Sequence, residues 1–205
     1  MNQRFLSLPQ EKQDRILNAA MKVFADSSFR QASTIEIARD AGISKALLFH
    51  YFTNKMDLYF HLFAYCTDHI VKELADRRLD GERDFFRLLL HNQQCKTDIM
   101  VRHPQLFEFL IRAYCEEDAE IRSGCLSIQE KAAPDNLGRF LEYVDKSRFR
   151  DGVDPSRLLQ MLIWCGDGFM REKFRQPVVV PEEINREFAA ILLMLQDLLY
   201  KEETP

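Results

Sequence analysis

The chain has 205 residues, 46% hydrophobic and 29% charged, with a formal net charge of −4. That length makes one large or two small domains, and the composition is that of a soluble globular chain rather than a disordered or fibrous one. The opening residues, MNQRFLSLPQEK, lack a signal peptide's charged start and apolar core. No apolar run approaches the ~20 residues needed to span a bilayer, so a cytoplasmic protein without membrane contact is expected.

Gly and Pro are sparse and period-two alternation is nearly absent, which points to an all-α fold. A first helix is expected from about Pro9 to Ser27, with Ile16, Ala19, Ala20, Val23 and Phe24 on one face. The segment from Ser33 to Lys55 follows. Ser33 suits an N-cap with Glu36 as its capping-box partner, and Ile35, Ile37 and Ala38 give a short apolar face. Gly42 supplies the left-handed residue past a helix end. Ile43 refills the core, and Ser44 caps a second short helix, Lys45 to His50. So short a turn leaves two closely packed helices at a steep angle, a helix-turn-helix. The second helix would present Ser44 and Lys45 to phosphates and base edges of a major groove.

Asn54 caps a long fourth helix, with Asp57 near its positive end and Leu58, Leu62, Tyr65, Cys66, His69 and Ile70 as its stripe. The polar stretch Asp76–Arg83 ends it. A fifth helix reaches about Arg102, a sixth starts at Pro104, and a seventh follows Glu116–Glu120 and is interrupted near Pro134 and Gly138. Asp154-Pro155 opens an eighth, to about Arg175, and Pro181 a ninth, to near Lys201. The eighth is apolar almost all round, and the ninth carries a wide stripe including Ile184, Phe188, Ile191, Leu192, Leu195 and Leu198. One small domain has little room to cover both, so a homodimer through a four-helix bundle of these helices is expected.

Ile37-Ala38, Ala41-Gly42-Ile43-Ser44-Lys45, Leu48-Phe49-His50-Tyr51-Phe52, Lys55 and Leu58 together resemble the TetR family of bacterial transcriptional regulators. The resemblance covers about residues 10–60. It implies a three-helix DNA-binding domain over residues 1–53 and a helical effector-binding and dimerisation domain over residues 54–205, about nine helices in all. It also implies that Thr34 meets phosphate, that Ser44, Lys45, Ala46 and Leu47 head the recognition helix, that Phe49, His50 and Tyr51 lie further along it, and that Lys55 meets phosphate. The family usually has Thr at Leu47 and Tyr at Phe49. Losing those hydroxyls removes two hydrogen bonds, and Leu47 would instead touch a thymine methyl or turn inward. A dimer would place two recognition helices on a palindromic operator, with half-sites about 34–36 Å apart or more.

Residues 1–60 hold eight Lys/Arg against six Asp/Glu, a net +2, and the remainder carries −6. The positive charge thus travels with the DNA module. In the middle of the chain, Phe63, Phe86, Phe107 and Trp164 interleave with the polar Thr67, Gln93 and Tyr114. They are candidate lining for an effector pocket, apolar with a few polar fixers. The expected function is a repressor released by a small, largely apolar or aromatic ligand; the alternative is an architectural or cell-division DNA-binding protein of the same fold. Catalysis is not expected: no Gly-rich phosphate loop, H-E-x-x-H or nucleophile elbow occurs. Five cysteines without C-x-x-C spacing read as reduced core thiols. His61 and His69, two turns apart, read as ordinary helix histidines, so neither a metal nor a cofactor is expected.

Overall fold

The computed structural model describes residues 3–77, 79–132, 136–176 and 178–202. Among them are eleven α-helices, one 3-10 turn and no strand; a single antiparallel bridge joins Phe149 to Tyr200. The helices are α1 (Gln3–Leu6), α2 (Gln10–Asp26), α3 (Thr34–Asp40), α4 (Lys45–Tyr51), α5 (Lys55–Asp76), α6 (Phe85–Arg102), α7 (Pro104–Tyr114), α8 (Ala119–Ala132), α9 (Asn136–Tyr143), α10 (Pro155–Lys173) and α11 (Pro181–Leu199). The all-α expectation holds. No described helix is long and apolar enough to cross a membrane.

Two helices exceed the nine expected. α1 is one turn, too short to show a period, and is held by Phe5, whose ring lies 4.9 Å from that of Phe52 and 5.0 Å from that of His61. α9 stands apart from α8; of the two residues near which the interruption is expected, Gly138 lies inside α9 and Pro134 lies outside the described residues. Elsewhere local chemistry sets the boundaries. The Asp154 carboxylate accepts the N–H groups of Ser156 (2.9 Å) and Arg157 (3.4 Å), with Pro155 at the first helical position.

The chain forms two compact units, residues 1–71 with 103–133 and residues 72–102 with 134–205. The expected division between residues 53 and 54 falls within the first. In that unit α2 packs against α3 and α7, and α3 against α4. The Tyr59 ring meets Phe24 (4.9 Å), Phe29 (5.3 Å) and Phe109 (5.3 Å) edge-on, the arrangement that aromatic quadrupoles favour. In the second unit α11 packs along α6, over a cluster of Phe85, Phe86, Phe149 and Tyr200. Asp84 organises it: its buried carboxylate accepts the Arg87 N–H (2.8 Å) and the Tyr200 hydroxyl (3.2 Å), and pairs with Arg148. Burial, and then the Asp84 charge, push the Tyr200 phenol up to about 12.

The Tyr59 hydroxyl is buried without a hydrogen-bond partner among the described residues. Such an orphan costs about 1–3 kcal/mol. Tyr59→Phe should therefore stabilise the protein, by about 1 kcal/mol, in chemical denaturation; a loss of stability would show that the hydroxyl is satisfied.

Candidate nucleic-acid interface

Backbone geometry makes the turn between α3 and α4. Gly42 has φ +66°, the Ile43 N–H reaches the Ala38 carbonyl (2.9 Å), and the Gly42 N–H reaches that of Arg39 (3.0 Å). These two bonds are the Schellman closure of a helix end, and a side chain at Gly42 would be strained there. The Ser44 hydroxyl then accepts the Leu47 N–H at 3.1 Å and caps α4. Ser33 likewise accepts the Glu36 N–H at 3.4 Å, while the Glu36 carboxylate pairs with Arg39 (3.4 Å). Ile37, Ala38, Ala41, Leu48 and Phe52 form the inner face and are buried.

The outer face carries most of the predicted contact residues. Ser44, Lys45, Ala46, Phe49 and His50 are exposed, and Thr34 and Leu47 are half-buried. Lys45 has no carboxylate partner among the described residues; its ammonium lies 5.9 Å from the Phe49 ring centre. The neighbouring cations are engaged: Lys22 and Arg39 with Asp40 (3.5 and 3.0 Å), and Arg30 with Asp118 (3.1 Å). Tyr51 is 5% exposed, its ring packed toward Phe5.

Lys55 is turned to a structural task. Its ammonium donates to the carbonyls of Arg30 and Ala32, both at 3.1 Å, and sits 4.8 Å from the centre of the Phe29 ring. Burial lowers its pKa. It thus fastens the loop that leads into α3. The same loop is held from the other side by Glu116, a buried carboxylate accepting the Phe29 N–H at 2.8 Å. In the sequence the acidic run at Glu116 marks only the lead into the next helix, because the backbone group it meets lies 87 residues away.

At the start of α5, Asn54 accepts the Asp57 N–H and Asp57 accepts the Thr53 N–H, both at 2.8 Å. One turn on, His61 packs on Phe5 and Phe52, and His69 faces His103 with their Nε2 atoms 3.4 Å apart.

The pocket candidates fall into both units. In the first, Phe63 and Phe107 are core residues, the Thr67 hydroxyl donates to the Phe63 carbonyl (2.8 Å), and Tyr114 is half-buried. In the second, Phe86 is core, Trp164 is 68% exposed, and Gln93 lines a cavity of about 350 Å³ between α6, α10 and α11. A cavity in the first unit, about 470 Å³, is lined by charged groups including Arg30, Arg112, Glu117 and Asp118.

A capped, outward-facing short helix behind a Schellman turn defines a helix-turn-helix DNA-binding protein. Residues 16–62 match the family described as bacterial regulatory proteins, tetR family. Over 94 residues, the chain is 33% identical to the HTH-type transcriptional activator FasR of Mycolicibacterium smegmatis, covering 45% of this chain and 39% of FasR. The chain thus matches about two fifths of that relative's length. The fatty acid degradation regulator FadR from Bacillus halodurans shares the fold, with a TM-score of 0.72 at 20% identity over 91% of this chain and 97% of that one. FadR from Bacillus subtilis, solved in complex with stearoyl-CoA, gives 0.68 at 18% identity over 87% and 96%. Residues 16–62 thus match the DNA-binding part of the tetR family of regulatory proteins, and the relatives named here are transcriptional regulators.

Burial lowers the His61 pKa below its ordinary 6.5, against an opposing pull from Asp57. The unfolded chain therefore takes up this proton first, and stability falls as pH drops below 6.5 toward the folded value. Thermal melts at pH 7.5 and 5.5 should show a larger loss for wild type than for His61→Gln; equal losses would contradict the assignment.

Proposed function

We propose that the chain is a ligand-responsive transcriptional repressor that binds a palindromic operator as a homodimer. The observation that carries DNA reading is the uncommitted outer face of α4: Ser44, Lys45, Ala46 and His50 exposed around an unpaired ammonium, on a helix fixed from behind. In this reading Thr34 meets phosphate beside them. Phe49 and Leu47 offer apolar contact to thymine methyls. Tyr51 and Lys55 act from the rear, Tyr51 by packing and Lys55 by holding the loop before α3.

Dimerisation is supported by α10 and α11, which expose Met161, Ile163, Trp164, Leu193, Met194 and Leu198. Apolar exposure on this scale marks an interaction surface. A division into residues 1–53 for DNA and 54–205 for sensing and pairing follows, with α5 carrying the chain from one unit to the other. Effector release is supported by the cavity at Gln93 and by the stearoyl-CoA bound to the Bacillus subtilis relative. The ligand must favour the conformation that leaves DNA. Activation is the second reading, favoured by FasR's being an activator.

Selection of the purified protein on random duplex DNA should enrich a palindrome. Lys45→Ala should weaken that site and lower the salt slope of binding by about one ion per protomer. Failure to enrich any sequence would overturn the reading.

Trp164→Glu should give a monomer by sedimentation, with operator affinity lost. Cys165, exposed on the same helix, should react with a thiol reagent faster in that monomer than in the wild type, while the exposed Cys115 reacts equally in both. Cys66, which burial pushes up to about 12, should stay unreactive. A wild type that sediments as a monomer would contradict the dimer.

A further inference from the structure

The cavity between α6, α10 and α11 is apolar and carries a lysine at its rim. Leu89, Leu159, Phe169, Phe188 and Leu192 make its walls apolar. Its polar groups all come from one side, where Asn92, Gln93 and Lys96 share the cavity face of α6 at helical spacing. Lys96 is the one charged residue of the lining, and no Asp or Glu pairs with it among the described residues. The residue is exposed at the cavity's mouth, and the protein around it lowers its pKa by desolvation.

An exposed cation at the rim of an apolar cavity is placed to meet the charged head group of an amphipathic anion. We infer that the cavity binds an apolar carboxylic acid, its carboxylate on Lys96 with Gln93 and Asn92 beside it and its tail among the Leu and Phe side chains. This rests on the ligand-responsive reading above and names the chemistry of the ligand. The volume, about 350 Å³, is room for about ten water molecules. It suits a free acid of medium chain length or one aromatic ring, not a coenzyme thioester. The single ammonium selects a monoanion, and the apolar walls reject a fully polar one. Asn92 and Gln93 can donate to the second carboxylate oxygen, so the three residues together would satisfy the head group.

The test uses the full-length protein and decanoate below its micelle concentration, with decanol and decyltrimethylammonium as charge controls and decanoyl-CoA as the thioester. Binding is read by the fluorescence of Trp164, the chain's one tryptophan, and by thermal shift. Decanoate should bind and raise the melting temperature; the cation and the thioester should not. Lys96→Met should weaken decanoate about tenfold or more, the loss of a charged hydrogen bond, and leave decanol unaffected; Lys96→Arg should retain decanoate. Unliganded Lys96→Met should melt close to the wild type, which shows that the variant folds. Decanoate and decanol binding alike, or undiminished decanoate binding by Lys96→Met, would overturn the inference. Selection of operator DNA by the wild type in the same preparation separates the two claims. If the operator is bound but no acid is, the ligand assignment alone fails; if no operator is selected, the regulator reading fails.

Discussion

The DNA-binding module is completed by a residue far outside it. Phe109 in α7 packs edge-on to Tyr59 and tilted against Phe24 (6.3 Å), closing the core beneath α2 and α5. Residues buried in such a cluster lose their hydrophobic free energy together if one wall moves, because interiors are close-packed. The recognition helix rests on α3, α3 on α2 and α2 on α7, so the three-helix module does not close its own core. The loop before α3 is tied in the same way, by Lys55 from one side and by Glu116 from the other.

This arrangement matters for how such a protein could be switched. A helix that is only seven residues long has little stability of its own. Its orientation is inherited from the elements behind it. α5 offers one connection, running on from the module. α7 and the Glu116 turn offer another, through a buried carboxylate and a ring contact rather than through a continuous helix. Displacing either would change where Lys45 and His50 stand without altering α4 itself.

Charge is managed in the same economy. The chain is net negative, and Lys22, Arg30 and Arg39 near the module are paired with carboxylates of the same chain. Lys45 on the DNA-facing side and Lys96 in the second unit's cavity are left without such partners among the described residues. Each is charged where the fold supplies no answering charge. Both are exposed, so the missing partner costs little at either, and each is free to meet an anion from outside the chain.

Much of this was legible in the amino-acid sequence because it is written in neighbouring residues. Caps at Ser33, Ser44, Asn54 and Asp154, the glycine turn at Gly42 and the 3.6-residue apolar periods are local signals, and the helices they mark are present. α1 escaped because one turn carries no period. The contact face of α4 followed from its cap and its inner apolar residues, but the inward turn of Tyr51 and Lys55 did not, since their partners come from Phe5, Arg30 and Ala32. The aromatic and polar candidates of the middle chain all read alike as pocket lining. Packing separated them, sending Phe86 to a core, Trp164 to a surface and Gln93 to a cavity, and it alone placed Lys96 opposite apolar walls. Sequence determines which residues share a helix face, because that depends on spacing along one element. What each face meets depends on contacts between elements distant in the chain, and those exist only once the tertiary structure has formed.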